Sequence, residues 1–203
     1  MYSHEIDTIV SPKLGYLPND LVFDANGGFY FSDFRGASTQ PDGGVYYVSP
    51  DYFSISCVIP RLAMANGIAL SPDGKCLWVT EFARNLLHYC VLETATTALP
   101  TGTGIAYHFT GTAPDSMRSD ADGNLYVAIY GQARVLVFNR NGIPIGQILL
   151  PQRESGHHLL STSLTIHPET RDLYIVSGDG GNGLGANIFY SKAFSRGVTV
   201  LPE

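Results

Sequence analysis

One sequence pattern recurs in the 203-residue chain at a fixed interval of 48 residues. Each unit has a polar turn followed by a short strand, in which an aromatic residue stands between two apolar residues. The first apolar residues of these strands are Phe29, Leu77, Leu125 and Leu173. Units of this length with strands and turns but no helical periodicity are typical of β-propeller blades, each a sheet of four antiparallel strands. The sequence therefore predicts an all-β propeller.

The number of units limits the size of this propeller. Strand patterns at 43–48, 86–91 and 134–138 supply a second strand pair in the first three units. The chain holds about four units, the low end of the four to eight blades that close a propeller. Residues 6–10 resemble an outer strand. We therefore expect one propeller domain over residues 1–203 that carries about four blades and lacks the N-terminal ones.

Composition and charge exclude several classes of partner. Twelve Lys and Arg against eighteen Asp and Glu give a net charge of -6, so we expect binding neither to nucleic acid nor to an anionic membrane. No stretch reaches the roughly 18 consecutive apolar residues of a membrane helix, and the first residues show no targeting signal. Three cysteines without Cys-x-x-Cys spacing fit buried thiols in a reducing compartment. These features predict a cytoplasmic protein.

Polar residues stand at similar positions near the start of the innermost strand of each blade. They are Asn19, Asn66, Asp115 and Ser163, with Ser116 and Thr162 beside them. Inner strands line the central channel, so these side chains should converge at one of its mouths. Amide, hydroxyl and carboxylate oxygens with a single firm charge suit Ca²⁺, which takes about six to eight oxygen ligands. We predict metal ligation by Asn19, Asn66 and Asp115.

Each of these residues alone also fits a local role, because Asn and Asp often begin turns by bonding to nearby backbone N–H groups. Two features favour metal ligation. Ordinary turn residues are already present at Asp73-Gly74 and Asp122-Gly123, and polar groups beside a channel need a partner.

Several motifs strongly resemble one protein family. They are Pro18-Asn19-Asp20-Leu21-Val22-Phe23-Asp24, Gly43-Gly44-Val45-Tyr46-Tyr47-Val48, Ala65-Asn66-Gly67-Ile68-Ala69-Leu70, Leu77-Trp78-Val79-Thr80-Glu81 and Gly111-Thr112-Ala113-Pro114-Asp115-Ser116. From about residue 16 to about residue 197 the chain resembles the gluconolactonase / regucalcin / luciferin-regenerating-enzyme family, and most of all its bacterial drug-responsive lactonases. The resemblance implies a six-bladed β-propeller, of which this chain carries about four blades. It also implies calcium-dependent hydrolysis of small-molecule lactones at the mouth of the channel.

The resemblance implies roles for individual residues. Asn66 matches the family's metal-binding asparagine, Asp115 its metal-binding aspartate and proposed proton donor, and Ser116 a neighbouring ligand of the drug-responsive branch. Asn19 and Asp20 match a pair of which one member faces the metal; we favour Asn19, with Asp20 as its support or as a ligand of a second metal. The sequence is equally compatible with Asp115 as the acid and with Asp115 as the residue that orients an attacking water.

One feature of the family is missing from this chain. The family's metal cage includes a glutamate from the first blade, and this chain begins about two blades later. Glu5 lies on the expected outer strand and does not replace that residue. Loss of a carboxylate lowers the charge and the calcium affinity of a site. Three functions therefore stay open: a lactone hydrolase, a non-catalytic binding scaffold, and an inactive remnant that self-associates through its exposed blade faces.

Two loop motifs have structural interpretations. The stretch from Gly178 to Gly183 satisfies Gly-x-Gly-x-x-Gly, but a strand instead of a helix follows it, so we expect a hairpin loop and no nucleotide site. His157 and His158 are expected in a solvated or hydrogen-bonded loop.

Aromatic and charged residues of the strands are also interpreted as structural. Trp78 and the repeated tyrosines should form the core between blades. Glu81, Arg84, Asp33 and Arg35 are interpreted as exposed loop charges of little consequence.

Overall fold

The computed structural model describes residues 6–198, and antiparallel strands make up most of them. Blade 1 consists of β1 (Pro18–Phe23), β2 (Phe29–Asp33), β3 (Gly43–Val48) and β4 (Ile55–Leu62). Blade 2 consists of β5 (Ala65–Leu70), β6 (Cys76–Glu81), β7 (Leu86–Thr94) and β8 (Thr97–His108). Blade 3 consists of β9 (Pro114–Ser119), β10 (Leu125–Ile129), β11 (Arg134–Phe138) and β12 (Pro144–Leu149). Blade 4 consists of β13 (Leu160–Ile166), β14 (Asp172–Gly178) and β15 (Ala186–Lys192). Short 3-10 helices lie in the connections at Pro12–Leu14, Phe82–Arg84 and Arg153–Ser155.

The four sheets are arranged as successive blades of a β-propeller. Within each sheet the strands lie side by side in chain order, and every neighbouring pair is antiparallel. The first strand of each blade is the inner one: β5 contacts β1 and β9, and β9 contacts β13. The predicted all-β propeller with four blades is confirmed. Blade 4 has three strands within the described residues.

A buried aspartate shapes the turn after the inner strand in blades 1 and 3. Asp24 accepts the Gly28 N–H at 2.9 Å and the Tyr47 hydroxyl at 2.7 Å. Asp120 likewise accepts the Tyr126 hydroxyl at 2.9 Å and backbone N–H groups of its own turn. The turn N–H groups are thereby satisfied inside the protein, which is what a buried turn requires.

Aromatic side chains at the second position of the repeat form the core between blades. Tyr30 of blade 1 packs with Ile68 and Leu77 of blade 2, and Trp78 of blade 2 packs with Met117 of blade 3. Rings of this size bury about 150–250 Å² each and dominate the energetics of such interfaces. The prediction that Trp78 and the repeated tyrosines are interblade core is confirmed for the first three blades.

The segment before blade 1 differs from the prediction. Residues 6–10 form no strand, so the expected outer strand is wrong, and Glu5 lies outside the described residues. Instead, Val10 and Tyr16 pack on the face of blade 1 that points away from blade 2. The Tyr16 ring lies 4.5 Å from that of Tyr46 and 5.5 Å from that of Phe31. This segment buries an apolar sheet face, for which it needs no strand hydrogen bonds.

The three cysteines are free, as predicted, but their burial differs. Cys90 is buried, Cys76 is half-buried and Cys57 is exposed, so the expectation of buried thiols holds for Cys90 alone. Cys57 lies on β4, whose outer edge has no neighbouring strand in the described part of the chain. Among residues 6–198 no helix is long and apolar enough to cross a membrane.

Candidate functional site

A β-bulge interrupts every inner strand near its start, at the same level of the channel. The bulges lie between Pro18 and Leu21, between Ala65 and Ile68, between Pro114 and Met117, and between Ser161 and Ser163. A bulge leaves a residue out of the ladder and changes the direction of its side chain. Asn19, Asn66 and Asp115 are the first residues of the first three bulges. The fold therefore places these three predicted site residues at equivalent positions near the starts of three successive inner strands.

The fourth member of this ring is shifted by one residue from the prediction. Ile166 pairs with Leu173 as Phe23 pairs with Phe29, and counting back from these pairs makes Thr162 the equivalent of Asn19. Ser163 is the next residue along. Six residues separate the paired Ile166 and Leu173 in blade 4, against five between the paired Phe23 and Phe29 in blade 1, so a fixed count from Leu173 misses the register.

Asn66, which is buried, and Asp115, which is half-buried, form the least exposed part of the candidate site. Asn66 is 2 % exposed, and its Oδ1 has no hydrogen-bond partner among the described residues. Its amide faces the carboxylate of Asp115 and favours the charged form of that group. Asp115 also accepts the Ser116 N–H at 2.9 Å. A buried carbonyl oxygen without a donor costs free energy unless a ligand satisfies it.

The environment of Asp115 favours its neutral form. Burial is the main cause, and together with the negative charge of Asp20 it raises the pKa of Asp115 to about 6. The Ser116 N–H and the Asn66 amide oppose this rise without cancelling it. A carboxyl group with such a pKa holds and releases a proton near neutral pH, as a group in acid–base catalysis does.

Close backbone packing connects the bulges of blades 2 and 3. A methyl group on Gly67 would overlap the Asp115 carbonyl oxygen, so only glycine fits at this position of β5. The Thr80 hydroxyl accepts the Gly67 N–H at 2.7 Å and donates to the Asp115 carbonyl oxygen at 2.9 Å. The same relation recurs one blade earlier, where the Ser32 hydroxyl donates to the Asn66 carbonyl oxygen. These contacts fix the spacing between Asn66 and Asp115.

Asn19 and Asp20 have different surroundings. Asn19 is exposed at the mouth. Asp20 accepts a hydrogen bond from the N–H of the next residue, Leu21, at 2.9 Å. It also forms an ion pair with Arg118 of blade 3 at 2.8 Å. This ion pair links inner strands that are two blades apart. Asp20 thus has protein partners on both oxygens, while the Asn19 side chain is exposed to solvent and has no hydrogen bond within the described part of the chain.

Two buried carboxylates at the ends of second strands correct the interpretation of exposed loop charges. Asp33 and Glu81 are 0 % and 1 % exposed. Arg35 Nε donates to Asp33 at 2.7 Å, and Arg84 lies 3.3 Å from Glu81. Asp33 and Glu81 are the last residues of β2 and β6 and not loop residues. The fold buries the carboxylates and leaves the arginines half exposed at the rim.

Buried carboxylates accept hydrogen bonds from the backbone segments that precede the inner strands. The bonds are from Leu17 N–H to Asp33 at 2.9 Å, from Ala63 N–H to Glu81 at 2.7 Å and from His158 N–H to Asp179 at 2.8 Å. Sequence reasoning missed this feature. The signal was present, because Asp33 and Glu81 occupy the same position of the 48-residue repeat.

The histidines of blade 4 belong to this support. His157 Nδ1 lies 3.1 Å from Asp179, and His158 is buried, which agrees with hydrogen-bonded loop residues. Burial alone would raise the pKa of Asp179, but the His158 and Leu184 N–H groups and His157 lower it below its ordinary value. The glycine-rich stretch connects β14 to β15 as a hairpin loop, as predicted.

The residues at the mouth fit a hard cation better than a soft one. Residues 6–198 contain no cluster of three or more His, Cys, Asp or Glu side chains that suits a metal ion. The candidate donors are instead two amides, a hydroxyl and a single carboxylate, namely Asn19, Asn66, Ser116 and Asp115. Ca²⁺ accepts such neutral oxygen ligands together with water. Among them, Asn66 Oδ1 has no hydrogen-bond partner in the described structure and would gain one in a bound cation.

Comparison with known proteins gives consistent matches. Residues 2–179 match the family described as "SMP-30/Gluconolactonase/LRE-like region". The curated protein "Lactonase drp35" of Staphylococcus aureus (strain USA300) is 51% identical over 193 residues, which are 94% of this chain and 60% of that protein. The chain thus spans about three fifths of that relative's length.

Solved structures show the same fold at low sequence identity. The chain superimposes on a luciferin-regenerating enzyme with a TM-score of 0.72 at 16% identity, covering 90% of this chain and 63% of that one. It superimposes on a calcium-binding protein, regucalcin, of Agrobacterium tumefaciens with a TM-score of 0.69 at 20% identity, covering 89% and 64%.

Proposed function

The chain belongs to the SMP-30/gluconolactonase/LRE-like family, and from that premise we propose that it carries the metal site of a calcium-dependent lactone hydrolase. The hydrolysed bond is the ester bond of a small cyclic substrate. In this proposal the reaction takes place at the mouth of the propeller channel, beside the inner-strand bulges.

The unpartnered Asn66 Oδ1 carries this proposal. It is a buried acceptor without a donor, beside a single carboxylate whose charge is poorly compensated. A cation satisfies both at once. Asn19, Asn66, Asp115 and Ser116 are the residues that would hold Ca²⁺, and Asp20 supports them through its pair with Arg118. When bound, the ion supplies a positive charge that polarises a substrate carbonyl group.

Asp115 is the group that moves a proton in this proposal. Ring opening of a lactone requires a nucleophilic water to lose a proton and the leaving oxygen to gain one. In the metal-free protein burial raises the pKa of Asp115 to about 6, and a bound cation would lower that pKa because it favours the carboxylate form. An Asp115 oxygen either delivers the proton to the leaving oxygen or orients the attacking water. Asp33, Glu81 and Asp179 are saturated with protein donors, so they hold the site in place.

The names of related proteins favour this chemistry over a binding scaffold. The staphylococcal relative is a lactonase by name, and the structurally similar regucalcin is described as calcium-binding. A scaffold has no need of equivalent Asn and Asp residues at successive bulges beside the channel. We therefore rank hydrolysis first and ligand binding without chemistry second.

The first test measures metal binding and hydrolysis separately. Calorimetric titration of Ca²⁺ into the metal-free chain should give saturable binding, which Asn66→Ala should weaken by at least tenfold because it removes the buried oxygen. Asn141→Ala, at an exposed turn, is the matched control and should bind as the wild type does. Absence of binding in a cooperatively folded wild-type chain would disprove the metal site.

Hydrolysis is then followed by acid release in a pH-stat with a panel of five- and six-membered lactones. Calcium-dependent turnover that Asp115→Asn abolishes supports the enzyme. Calcium binding without turnover of any lactone would support the scaffold instead.

A further inference from the structure

The second strand in each of the first three blades has one residue opposite the bulge of the inner strand. These residues are Ser32, Thr80 and Ala128, and the strand pairing on either side of each bulge places them there. They stand 48 residues apart in the sequence, and all three are buried. Two of them carry a hydroxyl group and the third does not. We call this the bulge-opposite position.

The hydroxyl groups make the same two kinds of hydrogen bond in blades 1 and 2. Each accepts the N–H of the second bulge residue of its own blade, from Asp20 to Ser32 at 3.1 Å and from Gly67 to Thr80 at 2.7 Å. Each also donates to the carbonyl oxygen of the first bulge residue in the next blade. The hydroxyl group therefore takes up the backbone N–H that directly follows the first bulge residue.

Blade 3 lacks this hydroxyl group, and there the same N–H has a different partner. Its second bulge residue is Ser116, whose N–H donates to the Asp115 carboxylate at 2.9 Å. In blade 2, where Thr80 accepts the equivalent N–H, Asn66 Oδ1 has no partner in the described part of the chain. The bulge-opposite position thus differs between the two blades together with the bonding of the first bulge residue's side chain.

We propose that Ala128 is a positioning residue of the candidate metal site, because its missing hydroxyl group leaves the Ser116 N–H to orient the Asp115 carboxylate. A charge-assisted bond from the backbone fixes this carboxylate before a ligand binds. Blade 2 has the opposite arrangement, in which Thr80 removes the competing N–H and leaves the Asn66 side-chain oxygen to a ligand. This role rests on the proposed calcium site, since it concerns the orientation of two of its ligands.

A crystal structure of metal-free Ala128→Ser tests the exchange of hydrogen bonds. The introduced hydroxyl group should accept the Ser116 N–H at about 3 Å, as the hydroxyl groups of blades 1 and 2 accept theirs, and the Asp115 carboxylate should lose that bond. If the Ser116 N–H still donates to Asp115, the proposal is wrong. Because no metal takes part, this result does not depend on whether the calcium site exists.

Calorimetric titration of Ca²⁺ then measures what the orientation of Asp115 contributes. Ala128→Ser should weaken binding roughly threefold to tenfold, because the ion must then order a carboxylate that the backbone no longer holds. Ala69→Ser is the matched control and should bind as the wild type does. Ala69 is 2% exposed on β5, but it pairs with Trp78 outside the bulge.

The two kinds of failure are distinguishable in this titration. Unchanged affinity in an Ala128→Ser protein whose hydrogen bond has moved would overturn the positioning role. Absence of calcium binding by a folded wild-type chain would instead overturn the calcium site on which that role rests.

The reciprocal substitution in blade 2 serves if Ala128→Ser does not fold cooperatively. Thr80→Val keeps the shape of the side chain and removes its hydroxyl group, so in a crystal structure the Gly67 N–H should donate to Asn66 Oδ1. Calcium binding should weaken, because that oxygen is then satisfied within the protein. Thr80→Ser keeps a hydroxyl group and should keep the wild-type bond. A Gly67 N–H that does not donate to Asn66 in Thr80→Val would contradict the proposal.

Discussion

Glu81 is a buried carboxylate and Asp115 a half-buried one, and their surroundings are opposite. Burial would raise the pKa of Glu81, but a hydrogen bond with His88 at 2.7 Å, the Ala63 N–H and the charge of Arg84 lower it below its ordinary value. Asp115 has one backbone donor and an amide, with the negative Asp20 nearby, and its pKa rises to about 6.

This difference shows that burial alone does not mark a functional carboxylate. The protein satisfies Glu81 internally, so its charge is part of the folded structure. It leaves Asp115 and the adjacent Asn66 Oδ1 short of partners, so a ligand has something to supply. Four substitutions test this contrast.

The largest loss of stability should come from Glu81→Ala. It leaves the Ala63 N–H, His88 and Arg84 without their shared acceptor. Removal of one partner from such a buried network costs about 3–5 kcal/mol. Thermal or denaturant unfolding measures this loss. Glu154→Ala, at a side chain that is 85% exposed, should cost less than about 1 kcal/mol. Equal effects at the two glutamates would contradict the structural role of Glu81.

Gly67→Ala should affect stability less and metal binding more. The new methyl group overlaps the Asp115 carbonyl oxygen, and relief of that overlap costs about 1–3 kcal/mol. Because the methyl group pushes the bulges of blades 2 and 3 apart, Ca²⁺ binding measured by calorimetry should also be abolished. Gly181→Ala is the control, because a methyl group there meets no atom within 4 Å. Normal calcium affinity in Gly67→Ala would show that the spacing of Asn66 and Asp115 does not matter.

Asp115→Asn should stabilise the metal-free protein. A carboxyl group whose pKa is higher in the folded state contributes stability below its unfolded pKa of about 3.9, and that contribution is lost as pH rises through about 6. The wild type should therefore lose about 2 kcal/mol between pH 4 and pH 7 from this group, and Asp115→Asn should not. Melting curves in chelator across this range measure the difference.

Calcium should reverse the order of the melting temperatures of the wild type and Asp115→Asn. It should raise the melting temperature of the wild type at pH 8 and leave that of Asp115→Asn unchanged, because binding to the folded state alone stabilises it. If Asp115→Asn is destabilised in chelator at pH 8, the Asp115 charge is compensated within the protein and the contrast with Glu81 fails.

Arg118→Met should give the smallest change in stability. The pair of Arg118 with Asp20 is partly exposed, and such pairs contribute about 0–1 kcal/mol. Its loss should nevertheless raise the pKa of Asp115 further, since the charge of Asp20 is then uncompensated. Carboxyl-selective NMR titration resolves this shift. A fall in that pKa would exclude Asp20 as a neighbour that acts on Asp115 through its charge.

Much of the fold was predictable because the repeat can be recognised from short local sequence patterns. The 48-residue interval identified the blades, and the aromatic position identified the interblade core, since each blade must bury the same face. The positions of Asn19, Asn66 and Asp115 followed from that count. It failed at Ser163, because the register depends on the length of one turn and on a bulge that the spacing alone does not reveal.

The burial of charged residues was the main property that the sequence did not predict. Asp33 and Glu81 are the last residues of their strands, where charged side chains are commonly exposed, yet both are buried. Their partners lie elsewhere in the chain, as with Glu81 and Ala63, which are 18 residues apart. Local patterns report on neighbours a few residues away and carry no information on such pairings.

The sequence by itself thus determined the repeating strands, the interblade rings and which residues stand near the start of each inner strand. Periodic burial is visible in the sequence as a pattern of apolar residues, because the side-chain direction alternates along every strand. Only the tertiary structure decided which carboxylates are satisfied and why Gly67 must be glycine. Those properties arise between blades, where residues far apart in the chain compete for the same donors and the same space.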